Sequence, residues 1–213
     1  KKKKNPTLEN KRERAPLRGL VQAGRQQNSE STRIQLALVA SAASTATHNA
    51  TPIEITVAGP GEGQVAYGHL QIRVEELSRA TVVVDLRGSG ILADNVEIVV
   101  GDSAGVGVIW IADWADDTVH VSSHHARLGK DAVLTHVNVT LGGDVVRTTA
   151  TVRYDAPGGD AQMLGTYFAD AGQHLENRLF VDHNRPNCVS NVLYKGALQG
   201  QDARTVWVGD VLI

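Results

Sequence analysis

Residues 174–213 read HLENRLFVDHNRPNCVSNVLYKGALQGQDARTVWVGDVLI. They combine a dense polar cluster with Cys188, the one cysteine of the chain, and then change to an alternation of apolar and polar residues. Alternation with a period of two is typical of a half-buried β-strand. Proline fixes its φ angle and asparagine bonds its own backbone, so residues 184–187 are predicted to form a turn. The segment therefore predicts strands on both sides of a polar turn.

Runs of the same kind fill the chain from Ile34 onward. They are short and β-branched, and each is closed by Gly, Asp, Ser or Pro, which is typical of strands. No convincing helix is found after residue 34. The predicted strands are 34–41, 53–59, 69–77, 80–88, 96–102, 106–114, 118–129, 132–143, 145–155, 162–171, 178–184, 190–200 and 204–213.

This series of short strands fits a sandwich, a barrel or a β-solenoid. The chain holds no Asn-Gly or Asp-Gly pair, the dipeptides that hairpin turns favour. Several strands alternate with Thr, Ser, His and Asn, as expected of stacked sheets with one exposed face. These features make a solenoid at least competitive with a sandwich or a barrel, and no regular sequence repeat is present to establish it.

Composition limits the class of protein. The 213 residues, with a net charge of −2, are enough for one substantial domain. A single cysteine excludes an internal disulfide and fits a reducing compartment. No apolar run approaches the ~18 residues that span a bilayer, and no signal segment begins the chain. We therefore expect a cytoplasmic protein with no membrane partner.

Charge is unevenly distributed along the chain. Residues 1–18 carry eight Lys and Arg and two acids, a net charge of +6, which leaves −8 for the rest. Such a tail either binds nucleic acid or an anionic surface, or is a solvated leader. Its composition favours the leader, so no nucleic-acid partner is expected. We assign residues 1–33 to a basic, poorly ordered leader or remnant of an N-terminal region, and residues 34–213 to the core domain.

Four histidines lie close together in sequence: His120, His124, His125 and His136. Imidazole nitrogens bind zinc or iron, so a metal site is one interpretation. On a strand, however, His120 and His124 share one face and His125 takes the other, so at most two of the three converge. Since no carboxylate or thiolate stands at a matched spacing, the other interpretation is a set of surface or sheet-lining histidines.

His183 and Cys188 flank the predicted turn. A thiolate beside an imidazole is the smallest unit for nucleophilic catalysis and also a soft-plus-borderline metal pair. Because the turn can fold the two side chains together, they are the candidate metal ligands. A structural role is the favoured alternative, since free cysteine packs as a small buried apolar residue. No oxyanion loop accompanies the pair, and no catalytic residue is assigned.

Two further patterns concern enzymatic chemistry. Asp113, Asp116 and Asp117 beside Trp114 are carboxylates of the kind used in sugar chemistry, which β-helix lyases and hydrolases perform, but their spacing is not diagnostic. No G-x-x-x-x-G-K-[ST] loop is present, so we do not expect this chain to bind ATP phosphates. A carbohydrate-active β-helix enzyme is kept as the alternative function.

Residues 172–213 resemble a known family. They contain GQHLENR at 172–178, the pattern D-H-x-x-P-N-C-x-S-N-x-x-Y-K-G at 182–196, and V-W-x-G-x-x-x-I at 206–213. These patterns resemble the SufD members of the SufB/SufD family, which belongs to the SUF system of iron-sulfur cluster assembly. The matching positions include Asp182, His183, Pro186, Asn187, Cys188, Ser190, Asn191, Tyr194, Lys195, Gly196, Val206, Trp207, Gly209 and Ile213.

The resemblance implies a right-handed parallel β-helix that serves as a non-catalytic scaffold. SufD pairs with SufB and works with the ATPase SufC, so an iron-sulfur cluster would be held transiently on the complex, with which a flavin has also been associated. The resemblance assigns no cofactor to this chain alone. Because the family's later C-S-H-G-A-T-type motif and its SufC-binding helices are missing, we expect a fragment that covers much of the core and is incomplete at its C-terminus.

Overall fold

The computed structural model describes the backbone of residues 22–28, 31–40 and 51–213, and the side chains of residues 51–213. Within these ranges the chain forms fourteen β-strands and no helix. The strands are β1 Gln22–Asn28, β2 Ser31–Ala40, β3 Ile53–Ala58, β4 Val65–Val74, β5 Arg79–Gly88, β6 Ile91–Val100, β7 Gly105–Trp114, β8 Val119–Leu128, β9 Val133–Gly142, β10 Val145–Tyr154, β11 Asp160–Ala169, β12 His174–Asp182, β13 Val189–Leu198 and β14 Arg204–Leu212.

The strands form two sheets. One has eight strands in the order β1-β2-β4-β6-β8-β10-β12-β14, and the other has six in the order β13-β11-β9-β7-β5-β3. Every pairing is parallel except that of β1 with β2, which is antiparallel. From β3 to β14 the chain visits the two sheets in turn, so each pair of strands makes one coil. The result is a β-solenoid of six coils, and the predicted solenoid is confirmed.

Unequal coil lengths explain why the sequence shows no repeat. Val65 pairs with Ile91, whereas His174 pairs with Arg204, so the later coil takes up more of the chain than the earlier one. The strands are nearly all of the same length, so the variation comes from the connections between them. A fixed period is therefore lost from the sequence although each coil stacks on the next in register.

The thirteen predicted strands each overlap one strand from β2 to β14, and β1 was not predicted. The backbone of β1 lies within residues 1–33, which were assigned to the leader. Residues 1–21 and 29–30 lie outside the described residues, as do residues 41–50. The poorly ordered leader and the domain boundary at residue 34 therefore stay predictions.

One corner of the solenoid has the same backbone conformation in coil after coil. The five connections that follow β4, β6, β8, β10 and β12 each contain a residue with positive φ, and the residue after it directly precedes the next strand of the six-stranded sheet; we call this the left-handed corner. Asparagine, aspartate and glycine tolerate this conformation best. The positive-φ residues are Leu77, Ser103, Asp131, Gly158 and Asn187. The residues that follow them are Ser78, Ala104, Ala132, Gly159 and Cys188.

From β4 to β12, alternate residues of the strands point inward and fill the solenoid. Columns of Val, Leu, Ile and Ala run from coil to coil, for example Ile72 beside Ile98 beside Ala126, all of them buried.

Toward the later coils aromatic rings replace some of these side chains. Gly165 of β11 lies beside Tyr194 of β13, whose ring occupies the space that a side chain at residue 165 would fill. Burial raises the pKa of Tyr194 to about 12.

Gly165 should tolerate no side chain. A Cβ atom at this position would overlap Cε1 of Tyr194, so Gly165→Ala is expected to lower the free energy of unfolding by about 1–3 kcal/mol through overpacking. Gly107→Ala is the matched control, because its Cβ would meet Thr81 at an ordinary 3.7 Å. Urea unfolding of both variants measures the difference. Equal losses of stability in the two would contradict the packing at Gly165.

Candidate functional site

Cys188 lies at the left-handed corner, between the end of β12 and the start of β13. Its Sγ atom is 3.8 Å from the carbonyl oxygen of Ala156 and 3.6 Å from that of Pro186. In the preceding coils this place is held by Ser78, Ala104, Ala132 and Gly159, which are small and buried. The corner therefore requires a small residue, and Cys188, which is partly buried and packs against the core, meets that requirement.

His183 lies at the other end of the same connection. Its Nε2 is 2.8 Å from Oγ of Ser190, and its ring centroid is 5.2 Å from that of Tyr154. The hydroxyl of Tyr154 donates a hydrogen bond of 2.7 Å to the carbonyl of Val189. Burial, with smaller effects of Cys188 and Asp160, raises the pKa of Tyr154 above its usual range. The connection is thus fixed by contacts of its own.

The structure gives His183 and Cys188 different partners. Among the described residues no hydrogen bond joins the two side chains, and no group of three His, Cys, Asp or Glu could hold a metal ion. Sequence left open whether the turn folds the side chains together; in the structure His183 contacts Ser190, and Cys188 contacts two backbone carbonyls. A metal contact by His183 and Cys188 stays a prediction, to be tested in a larger assembly.

A groove of about 630 Å³ lies at the opposite corner of the solenoid. It forms because the connection between β9 and β10 is only two residues, 143–144, whereas the connections above and below it, 115–118 and 170–173, have four each. Its lining includes four carboxylates and two exposed apolar side chains. These are Asp113, Asp116, Asp144, Asp170, Leu141 and Phe168.

The groove contains two of the three acids singled out in the sequence. Asp113 and Asp116 line it and Asp117 does not. Asp116 accepts a hydrogen bond of 3.1 Å from Nε2 of Gln173. The ring of Trp114 is buried and donates its N–H to His120, so this tryptophan does not offer a stacking face for a sugar. The groove therefore offers carboxylates and the exposed ring of Phe168, whereas the Trp114 residue that also lines it is buried.

Three of the four histidines point into the solenoid. His120, His124 and His136 are at most 2% exposed, whereas His125 is exposed on the outer face. The alternation predicted for His120, His124 and His125 is confirmed. The interpretation of a surface set holds for His125 only. The others line the interior, because β8 and β9 alternate with those residues on the inner side.

The inward histidines belong to one chain of hydrogen bonds. Nε1 of Trp114 lies 3.0 Å from Nδ1 of His120, and Nε2 of His120 lies 3.2 Å from a carboxylate oxygen of Asp94. Ser122 bonds the other oxygen of Asp94 and lies 2.8 Å from Nε2 of His124. Nδ1 of His124 is 2.9 Å from Nε2 of His136.

The donor and acceptor capacity of each group determines which atom carries each proton in this series of hydrogen bonds. The indole of Trp114 only donates, so Nδ1 of His120 is an acceptor and Nε2 of His120 donates to Asp94. The hydroxyl proton of Ser122 also goes to Asp94, so Ser122 accepts from Nε2 of His124. Nδ1 of neutral His124 then accepts from Nε2 of His136. Nδ1 of His136 is left with a lone pair, and no described group bonds it.

Burial holds the inner pair of histidines neutral. It lowers the pKa of His136 from 6.5 to about 4. It also takes the pKa of His124 well below the usual range, and repulsion from His136, His120 and His125 lowers it further. Both shifts favour the uncharged imidazole, which is the state that the tautomers above require.

Comparison with known proteins identifies the family. The family described as SUF system FeS cluster assembly, SufBD core domain, matches residues 56–213, which run from within β3 to the end of the chain and so take in the six coils. This chain belongs to the SufBD family. The solenoid, the left-handed corner and the interior network are therefore features of a SufBD core domain.

Curated relatives of this SufBD family protein come from mycobacteria. The iron-sulfur cluster assembly SufBD family protein of Mycobacterium bovis is 68% identical over 168 residues, which are 76% of this chain and 42% of the relative. That of Mycobacterium leprae is 66% identical over 170 residues, 77% of this chain and 43% of the relative. The chain thus spans less than half the length of these relatives. No solved structure matches it significantly.

Sequence reasoning missed the partners of the histidines. Asp94, Ser122 and Trp114 reach His120 and His124 from three strands, and only the register of β6 with β8 places Asp94 beside Ser122 of the next coil. An aspartate among the apolar residues on the inner face of β6 was the available signal.

In the described part of the chain no helix is long and apolar enough to cross a membrane.

The neutral interior histidines predict loss of stability in mild acid. Unfolded histidine binds a proton near pH 6.5, but folded His136 does so only near pH 4. Between these values the unfolded chain holds more protons, so stability is unaffected above pH 6.5 and falls as the pH drops toward 4. For His136 alone the loss is on the order of 3 kcal/mol.

Urea unfolding between pH 7 and pH 4 measures this loss. His125→Gln is the control, because this exposed residue should leave the pH dependence unchanged, whereas His136→Gln should make it shallower. The explanation is wrong if both variants keep the slope of the parent protein.

Proposed function

We propose that this chain is the core of a SufD-type scaffold subunit that pairs with SufB and works with the ATPase SufC in the cytoplasm. The observation that carries the proposal is the match of residues 56–213 to the SufBD core domain. The relatives in mycobacteria are named as iron-sulfur cluster assembly proteins. In this proposal the iron-sulfur cluster is cargo held transiently by the complex, and any flavin also belongs to the complex.

The segment at 182–196 supports the SufD-type assignment. Its Pro-Asn-Cys run places Asn187 at the positive-φ position of the left-handed corner and Cys188 at the place of the small residue. Its histidine bonds Ser190, and its tyrosine, Tyr194, fills the space above Gly165. Each of these residues has a structural reason to be where it is. The segment therefore builds the last coils, as expected of a scaffold.

The surface of the solenoid suits a protein that binds other proteins. The outer face of the six-stranded sheet carries aliphatic side chains in neighbouring positions of three strands, where an isolated surface sheet would carry polar ones. They include Ile109 and Ile111 of β7, Val137 and Val139 of β9 and Leu164 of β11, all partly exposed. A partner or a further part of the full-length protein would cover them.

Binding to SufB and SufC is the direct test of the proposed function. The full-length protein is expected to co-purify with both, and the complex reconstituted without oxygen with iron and sulfide should show the visible absorbance of an iron-sulfur cluster. Failure to bind either partner would overturn the proposal. Turnover of an acidic polysaccharide by the same protein would favour the carbohydrate-active alternative, which rests on Asp113 and Asp116.

Replacing Cys188 tests whether it binds the cluster. Cys188→Ala should leave the fold intact, because Ala104 and Ala132 hold the same place in earlier coils. Since Cys188 serves the corner, we expect cluster yield on the complex within about twofold of the parent protein, a change of less than ~0.5 kcal/mol. The double variant with His183→Ala should behave in the same way.

The opposite result would assign these residues to the cluster. If Cys188→Ala keeps its circular dichroism spectrum and its binding to SufB and SufC while the cluster absorbance is lost, Cys188 is a metal contact. If only the double variant shows that loss, His183 contributes a contact. Ser78→Ala at the same corner is the matched control, because it changes a small residue of this column far from the last coil.

A further inference from the structure

Three buried polar atoms without partners belong to side chains that are neighbours inside the solenoid. They are Nε1 of Trp110, Nδ1 of His136 and Oδ1 of Asn138, and no described group forms a hydrogen bond with any of them. Each of the three residues is 1% exposed. An unpaired buried polar group costs free energy, so three in one place require an explanation.

The strands bring these three side chains to one point. Trp110 of β7 is paired with Asn138 of β9, and His136 precedes Asn138 by two positions on the same inner face. The ring centroid of Trp110 is 4.5 Å from that of His124, and the centroid of His124 is 5.1 Å from that of His136. The three side chains are therefore neighbours in the interior between coils three and four.

The three atoms differ in what they require. The indole nitrogen of Trp110 is a donor only. Nδ1 of His136 carries a lone pair, because its Nε2 proton is used toward His124. The amide nitrogen of Asn138 donates to Oδ1 of Asn177 at 2.6 Å, which leaves its own Oδ1 as an acceptor. The region thus presents one donor and two acceptors.

We propose that one water molecule binds in the interior between Trp110, His136 and Asn138. It accepts a hydrogen bond from Nε1 of Trp110 and donates one proton to Nδ1 of His136 and the other to Oδ1 of Asn138. This uses both protons of the water and one of its lone pairs, and three hydrogen bonds are typical of a buried water. A cation does not fit, because the N–H of Trp110 points a positive hydrogen into the same region.

This water would join two polar networks that are otherwise separate. On one side is the chain from Asp94 through Ser122 and His124 to His136, and on the other is the pair of Asn138 and Asn177. With the water in place, hydrogen bonds run without interruption from β6 to β12, through four of the six coils. The site goes beyond the proposed function and does not depend on it.

A crystal structure and an NMR experiment on the full-length protein test the proposal. Electron density for a water is expected within hydrogen-bonding distance of all three atoms. The indole N–H of Trp110 should show a cross-peak to water whose sign indicates a long residence time. Asn138→Leu removes one acceptor at similar volume and should abolish the cross-peak. Asn95→Leu, on the outer face of β6, is the matched control and should keep it.

Two results would overturn the proposal. One is a direct hydrogen bond between Trp110 and Asn138 with no density between the three side chains, and the other is an indole N–H without a cross-peak to water. Both are read from the unmutated protein, so the proposal stays falsifiable if Asn138→Leu does not fold. A cross-peak that persists at full strength in folded Asn138→Leu would place the water elsewhere.

Discussion

Parallel pairing in register is the constraint on which this structure depends. Each coil stacks on the last at the ~4.8 Å spacing of neighbouring strands, so every inward residue becomes part of a column that runs along the axis. Whether a side chain fits the interior then depends on the residues above and below it in the column rather than on its neighbours in sequence. Ile72, Ile98 and Ala126 form such a column in the apolar part of the interior.

The same constraint explains the Pro-Asn-Cys segment. The left-handed corner repeats from coil to coil, and a residue with positive φ must be followed each time by a small one. Asn187 and Cys188 are the members of these two columns in the last coil. A cysteine in isolation suggests reactivity, but Cys188 holds the position in the last coil that Ala104, Ala132 and Gly159 hold in earlier coils. Packing is therefore sufficient to explain its position.

Stacking also determines how polar residues are accommodated inside. A buried polar group is costly unless it is bonded, and the partners available in a solenoid lie mainly in the adjacent coils. Asp94 of the second coil anchors the chain by accepting from His120 and Ser122 of the third, and His124 accepts from His136 of the fourth. The tautomer of His120 follows from the indole of Trp114, which can only donate, and the tautomers of His124 and His136 follow from Ser122, whose proton goes to Asp94. Neutral histidines are required throughout, and burial supplies that state for the inner pair.

The sequence by itself determined the strands from β2 to β14, the alternation of His120 and His124 against His125, and the family resemblance in residues 172–213. Those properties are local, because period-two patterning and closely spaced motifs need no knowledge of distant residues. Only the tertiary structure decided that Asp94 meets His120, that His124 meets His136, and that His183 and Cys188 contact different groups. The contacts between coils depend on the pairing of strands that are far apart in sequence, and connections of unequal length remove any constant offset from which that pairing could be read.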